Sequence, residues 1–332
     1  MSINRNTVQS NRDARIILTV LWIICINMWD RWGGTFLTFP TSMPPLGGER
    51  RRFAMVKVRG IEFEGNLDNT MGLEFYNLSH RFGFQNPNWP YFQDTKIERI
   101  HYMAKSGVLS QRITTTMHAT THIDAPAHVV QGTPFIDEVP LPHFFGTGIV
   151  VSLPKNKWEP ITGDDLEKAC GHVIRKGDVL IINTGWHKQY EDGDYFAYCP
   201  GFVESAGEWM VAKGVKVVGH DTQANDHPLA TAIGPQRNGP LLPHLAEEYL
   251  EWSGGVDWKT AFPKWEPVHQ ILFKNGILGI ENVGGDLDAV TGKRCTFAFF
   301  PWNWDRGDGC IIRLVAMIDK SQNYRIEAGE DF

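Results

Sequence analysis

The stretch His118-Ala119-Thr120-Thr121-His122-Ile123-Asp124-Ala125-Pro126-Ala127-His128 decides how this chain is read. Three imidazoles and one carboxylate fall close together, all at even positions. In an extended chain alternate side chains share a face, so all four are expected to project to one side. A helix would pair His118 with His122 but swing Asp124 away, and Pro126 disfavours a helix interior. An extended or looped segment therefore offers nitrogens of His118 and His122 and an oxygen of Asp124 to a common point. That donor set suits zinc, manganese or iron, and three protein ligands leave positions open for water and substrate. His128 lies further along the same face and is expected to carry protons, the usual task of an imidazole beside a reacting group. Polar residues on a solvated strand are the competing reading, which fits one histidine better than three with an aspartate at matching parity.

Around this segment, short β-branched runs predict strands at Leu73–Leu78, Gly148–Leu153, Asp178–Asn183, Val215–Gly219, Ile277–Glu281 and Ile311–Ile318. Helices are expected between them. Thr162-Gly163-Asp164-Asp165 is a capping-box-like start for a helix that ends before Gly171. Glu204 to Lys213 is a second helix, stopped by Gly214, and His244 to Trp252 a third. Glu266 to Asn275 is a fourth, stopped by Gly276, with Val268, Ile271 and Leu272 as its apolar face. Strands and helices alternate, so the class is α/β or α+β. The aromatic, Pro-rich segment Phe84 to Phe92 has no period and reads as a loop able to cover a pocket.

Composition sets the outer limits. A length of 332 residues with 42% hydrophobic and 21% charged side chains is ordinary for a globular protein. The formal net charge of −6 leaves no basic surplus for a phosphate backbone, so nucleic acid is not an expected partner. The cysteines Cys25, Cys170, Cys199, Cys295 and Cys310 form no C-x-x-C pair, which reads as reduced thiols in a cytoplasmic protein and not as a thiolate zinc site. Ile16 to Trp29 is the most apolar run, shorter than the ~20 residues of a spanning helix and without a small-residue cleavage site after it. No membrane partner is expected, export or membrane association being the alternative for this run. A Pro- and Gly-rich stretch follows. Residues 1–54 are thus read as an N-terminal extension, and 55–332 as the working domain, beginning at Met55 as an alternative start.

The segment from His118 to His128 resembles the signature H-x-G-T-H-x-D-x-P-x-H of the cyclase family of metal-dependent hydrolases, which contains bacterial kynurenine formamidase and isatin hydrolase. His118, Thr121, His122, Asp124, Pro126 and His128 match, and Thr120 stands where the family has glycine. Tyr76-Asn-Leu-Ser-His80 is similar to the family's opening D-L-S-H strand, Leu180 to Trp186 to its strand ending in T-G-W, and Val218 to Asp226 to its G-x-D-T-x-S-x-D strand and turn. His269 and Glu281 match the spacing of a further His and Glu that bind metal in kynurenine formamidases.

The resemblance implies an α/β fold of the kynurenine formamidase-like swivelling β/β/α type, in a single domain. It also implies one or two divalent ions, zinc or manganese. His118, His122 and Asp124 would hold one, and Asp124 would bridge to a second completed by His269 and Glu281. The implied activity is hydrolysis of an amide or ester carbonyl, in a small cyclic or N-acylated aromatic compound, by metal-activated water with His128 as proton carrier. A dienelactone-type lactonase is the variant within the family. An Fe(II) facial-triad oxygenase and a non-catalytic metal-dependent binding protein are the rivals outside it. Trp186, Asp221, Trp302 and Trp304 are expected to line the substrate pocket, and His220-Asp221 and Asp226-His227 to support it. The resemblance also implies a homodimer or homotetramer.

Overall fold

The computed structural model describes residues 72–320 except 85, 91 and 236–239, residue 322, and the backbone of two short strands at 56–58 and 61–63. The expectations for residues 1–54 and for Met55 lie outside the described residues. The chain divides into two units, residues 1–64 and 65–332. In the first, strands β1 (Val56–Val58) and β2 (Ile61–Phe63) pair antiparallel.

The second unit is built on a nine-stranded mixed sheet. Its strands, in chain order, are β3 (Leu73–Asn77), β6 (His122–Asp124), β7 (Phe145–Ser152), β9 (Val179–Asn183), β11 (Val217–His220), β12 (Leu278–Glu281), β13 (Arg294–Ala298), β14 (Gly309–Ile311) and β15 (Val315–Asp319). Across the sheet they run β14-β6-β12-β11-β9-β7-β13-β15-β3. The centre, β7, β9, β11 and β12, is parallel, and every other pairing is antiparallel. Outside this sheet, β4 (Lys96–His101) and β5 (Ser110–Thr114) form a separate hairpin, and β8 (Pro160–Ile161) pairs with β10 (Gly201–Phe202).

The central strands are apolar on both faces, as a sheet covered on both sides requires. Val150, Val179, Ile181 and Val217 enter one core with Phe144, Phe297 and Phe299. Their sequence neighbours Ile149, Val151, Leu180, Ile182 and Val218 enter the other. The second core is closed by three helices, α1 (Gly163–Cys170), α2 (Glu204–Lys213) and α4 (Pro267–Lys274), through Leu166, Met210, Val268 and Leu272. The remaining long helix, α3 (Leu245–Trp252), packs Leu245 and Tyr249 into an aromatic cluster with Trp158, Trp258 and Phe262. The α1 start has the full capping box: Thr162 Oγ1 accepts from the Asp165 amide at 3.1 Å, and Asp165 accepts from the Thr162 amide at 2.9 Å.

Two expectations are corrected. The run Ile311–Ile318 is two strands, because the chain changes partners within it: Gly309–Ile311 pairs with β6, Val315–Asp319 pairs with β3 and β13, and between them the Leu314 amide donates to Ser79 Oγ. The segment 118–128 is not one extended piece. Only His122–Asp124 is strand, Thr120 turns with φ +55°, and Pro126–His128 is one turn of 3-10 helix with proline in its first turn. The strand β6 is wedged between β12 and β14, with Ile123 and Ile280 fully buried, and Leu180 of β9 at the sheet centre is fully buried as well. Leu180→Ala in β9 should cost about 2–5 kcal/mol of unfolding free energy, read by denaturant titration. A loss well under that range would mean the sheet centre is loosely packed.

Candidate metal centre

Register assembles the centre. In the antiparallel pair β6–β12, His122 stands opposite Glu281 and Asp124 opposite Gly279. Directly opposed residues on one face of such a pair touch, and His122 Nε2 lies 3.4 Å from Glu281 Oε2 and 3.3 Å from Asp124 Oδ1. The helix α4 adds His269, whose Nε2 is 3.2 Å from Glu281 Oε1 and 3.8 Å from Asp124 Oδ2. The turn before β6 adds His118, with Nδ1 at 2.7 Å from Asp124 Oδ1. His118, His122 and Asp124 thus form one set able to hold an ion, and Asp124, His269 and Glu281 a second. Asp124 belongs to both, turning Oδ1 to the first set and Oδ2 to the second. On the other side of β6, Gly309 faces Asp124. A Cβ there would come within 2.8 Å of both the His118 ring and the Ile123 carbonyl oxygen, so only glycine lets that ring lie where it does.

Each imidazole is fixed by an oxygen on the nitrogen that faces away from the centre. His122 Nδ1 meets the Thr120 carbonyl oxygen at 2.8 Å, His269 Nδ1 meets Asp226 Oδ2 at 2.6 Å, and His118 Nε2 meets Asp308 Oδ2 at 3.0 Å. That pattern keeps a proton on the outer nitrogen, so that when the ring is neutral the inner lone pair is the one offered to a cation. Asp226 also accepts from the Val268 and His269 amides, at 2.8 and 3.0 Å, locking the first turn of α4. Thr120 takes the left-handed backbone that glycine adopts without cost. It is held there by the Asn282 side-chain amide donating to its carbonyl at 3.0 Å, and the same carbonyl orients His122.

The charge balance asks for a cation. Asp124 and Glu281 are buried, and His122 Nε2 is buried with no hydrogen-bond partner. Burial alone would raise both carboxyl groups, but the facing histidines outweigh it, taking Asp124 well below the usual range and Glu281 to about 2. Burial likewise works to strip the histidines of protons, yet the Asp124 charge outweighs it and holds His118 up at about 9 and His122 at about 10. Protons therefore fill a place that a divalent ion fits: two imidazole nitrogens with carboxylate oxygens, the donor chemistry of zinc and manganese. His118 also belongs to a third set, with His128 and Asp308. The His128 ring stacks on His118 with centroids 3.9 Å apart, and its Nδ1 lies 3.8 Å from Asp308 Oδ2.

A cavity of about 460 Å³ opens onto these groups. His118, His122, Asp124, His128, His269 and Glu281 all border it. Its apolar wall comes from Trp89, Phe92, Phe196 and Trp265, so the loop expected over Phe84–Phe92 does reach the cavity. The other expected wall residues do not border it. Asp221 is buried, and accepts from Thr184 and from the Gly185 and His187 amides, with His187 Nδ1 at 2.9 Å; it ties down the loop after β9. Trp186 is buried and donates its indole N–H to the Tyr195 carbonyl at 2.9 Å. Trp304 packs against the first core and donates to the Gly309 carbonyl, while Trp302 is exposed. His220 and His227 are engaged inside the fold, with Thr222 and Asn225, and with the Trp158 carbonyl. Of the run Phe299 to Gly309, the residue that reaches the centre is Asp308. Nothing local in the sequence marks it, because only the β6–β14 pairing brings it to His118.

Asp221→Asn should lower stability by about 1.5–3 kcal/mol, the range for hydrogen bonds to a charged group, while leaving metal content intact. Metal loss with unchanged stability would return Asp221 to the site. Metal addition has its own signature. The metal-free centre holds protons on His118 and His122 at about pH 7, and an ion must displace them. Zinc or manganese titration calorimetry in buffers of different ionisation enthalpy should show proton release, with affinity rising as pH rises through about 7 to 9. Affinity independent of pH would remove these imidazoles from the ligand set.

The sequence profile of the Cyclase family matches residues 76–227. An uncharacterized protein of Methanocaldococcus jannaschii is 26% identical over 235 residues, covering 70% of this chain and 94% of its own length. Isatin hydrolase of Roseibium aggregatum is 24% identical over 221 residues, covering 61% of this chain and 73% of its own length. Among solved structures, isatin hydrolase A of Ralstonia solanacearum superposes with a TM-score of 0.60 at 19% identity, covering 76% of this chain and 94% of its own. A structure described as a potential metal-dependent hydrolase with cyclase activity gives 0.53 at 20% identity, covering 75% and 99%. The profile match over residues 76–227 and the residues gathered around Asp124 make this part of the chain similar to the cyclase family, and its fold is that of the isatin hydrolase structures.

Proposed function

We propose that this chain is a metal-dependent hydrolase that opens the amide or ester carbonyl of a small cyclic or N-acylated aromatic compound. The observation that carries the reading is the convergence of two ligand sets through Asp124 on the floor of a cavity with aromatic walls. Its relatives include isatin hydrolases, one of them solved with the product analogue thioisatinate. A divalent ion held by His118, His122 and Asp124 would lower the pKa of bound water toward neutrality and polarise a carbonyl oxygen. The division of Asp124 between the two sets supports a second ion, with His269 and Glu281. Zinc and manganese both accept these donors.

The protein side of the reaction falls to a few groups. Trp89, Phe92, Phe196 and Trp265 give an aryl ring flat apolar surface and exclude water from the carbonyl. Trp89 meets Phe196 edge to face at 6.3 Å, which fixes that wall. His128 borders the cavity and keeps contact with solvent, its side chain 30% exposed. With Nδ1 turned to Asp308, Nε2 is the atom that would hand a proton to the leaving nitrogen or oxygen.

Elemental analysis beside anaerobic turnover tests the reading, with isatin, an N-formyl aromatic amine and an aromatic lactone as probes. One or two ions per chain and oxygen-independent hydrolysis are expected. His122→Ala should lose metal and turnover together. His128→Ala should keep its metal and lose about 10²–10⁴-fold in turnover. Strict oxygen dependence would move the chain to an Fe(II) oxygenase, and a fully active His122→Ala protein with stoichiometric metal would end the ligand assignment.

A further inference from the structure

Gln223 sits in the loop that leaves β11, in the run Asp221-Thr222-Gln223-Ala224-Asn225-Asp226. The other polar side chains of this run are engaged within the fold. Asp221 holds the loop after β9, Thr222 Oγ1 meets His220 Nδ1, Asn225 donates to Glu281 Oε1, and Asp226 holds His269. Gln223 differs. The residue is 2% exposed, it borders the same cavity as Glu281 and His122, and neither its carboxamide oxygen nor its nitrogen has a hydrogen-bond partner among the described residues. A buried amide in that state opposes folding, so its retention beside the cavity calls for a partner that comes from outside the fold.

We propose that Gln223 determines specificity at this site by reading a ring amide. Its Nε2–H donates to the substrate carbonyl oxygen, and its Oε1 accepts from the substrate N–H. A primary carboxamide presents a donor and an acceptor side by side in one plane. The matching partner presents an acceptor and a donor side by side. A small-ring amide does so, because ring closure forces its peptide unit cis, with C=O and N–H on one edge. An open-chain secondary amide is trans and places them on opposite edges. A lactone has no donor and leaves Oε1 buried and unpaired, a mismatch that sites built around hydrogen bonds reject strongly. In the reaction, water oxygen joins the acyl carbon, the ring C–N bond breaks and the nitrogen takes a proton. The paired edge is destroyed by that step, so the same contact favours release of the ring-opened product. This inference rests on the hydrolase reading and narrows it from amide or ester to ring amide.

Gln223→Met keeps the side-chain length and removes both polar atoms. The probes are 2-oxindole, its N-methyl derivative and the lactone of the same skeleton, each measured on metal-loaded protein by turnover and by calorimetric binding. For 2-oxindole the variant should lose about 10–100-fold, and markedly less for the other two, so that the preference for the N–H form collapses. Metal content should stay constant and Tm should hold or rise, since the lost atoms have no partners in the fold. Equal losses on all three probes, a lowered Tm, or wild-type protein that does not bind 2-oxindole above its N-methyl form would overturn the inference. The two readings separate cleanly. No turnover of any probe, with a binding preference that Gln223→Met erases, overturns the hydrolase and leaves Gln223 as the reader of the ring amide. Turnover whose selectivity the variant leaves unchanged overturns the role of Gln223 and leaves the hydrolase.

Discussion

Two carboxylates buried at one point, Asp124 and Glu281, are the constraint around which this molecule is arranged. Charge placed in a protein interior is tolerated only where opposite charge and hydrogen bonds meet it. Three imidazoles face the pair, and each is held on its outer nitrogen by a further oxygen, from Thr120, Asp226 or Asp308. Those oxygens come from a turn, a loop and a segment beside an edge strand, so much of the surrounding backbone serves to aim three rings.

The sheet explains why this is possible. Parallel strands β11 and β12 end side by side, and the loops beyond their C-terminal ends gather the polar groups, as open α/β sheets arrange their ligand sites. Strand β6 then adds on antiparallel beside β12, which brings His122 across from Glu281. Apolar burial on both sheet faces fixes that register, because a one-residue slip would turn Ile123 out of the core and His122 into it. Hydrophobic packing and metal-site geometry are thereby one problem with one solution. The strained Thr120 is a local cost absorbed here, its left-handed backbone held by Asn282 from the loop after β12.

The chemistry of the centre was legible in the sequence because its first three groups are local. His118, His122 and Asp124 lie within seven residues, close enough for composition and spacing to show a donor set. The α/β class followed from the alternation of β-branched runs with capped helices, and α1, α2 and α4 start or stop close to where Thr162, Gly214 and Gly276 place them. The parity argument succeeded only for His122 and Asp124, which do share a strand. His118 and His128 arrive by a turn and by a 3-10 turn, which period-two reasoning does not describe.

The tryptophans singled out in the sequence were a poor guide to the cavity. Trp186 and Trp304 are large apolar side chains that found core positions, and Trp302 stayed at the surface. Residues with little local signal, Asp308, Gln223 and Trp265, reach the cavity or its histidines through strand pairings and loop positions far from the signature. The sequence by itself determined the donor chemistry and the class of fold, since both depend on residue type and short-range periodicity. Tertiary structure alone decided which oxygens orient the imidazoles, which side chains wall the cavity and which buried amide is left open to a partner. Those properties depend on register between strands distant along the chain, and register is set by packing the whole sheet at once.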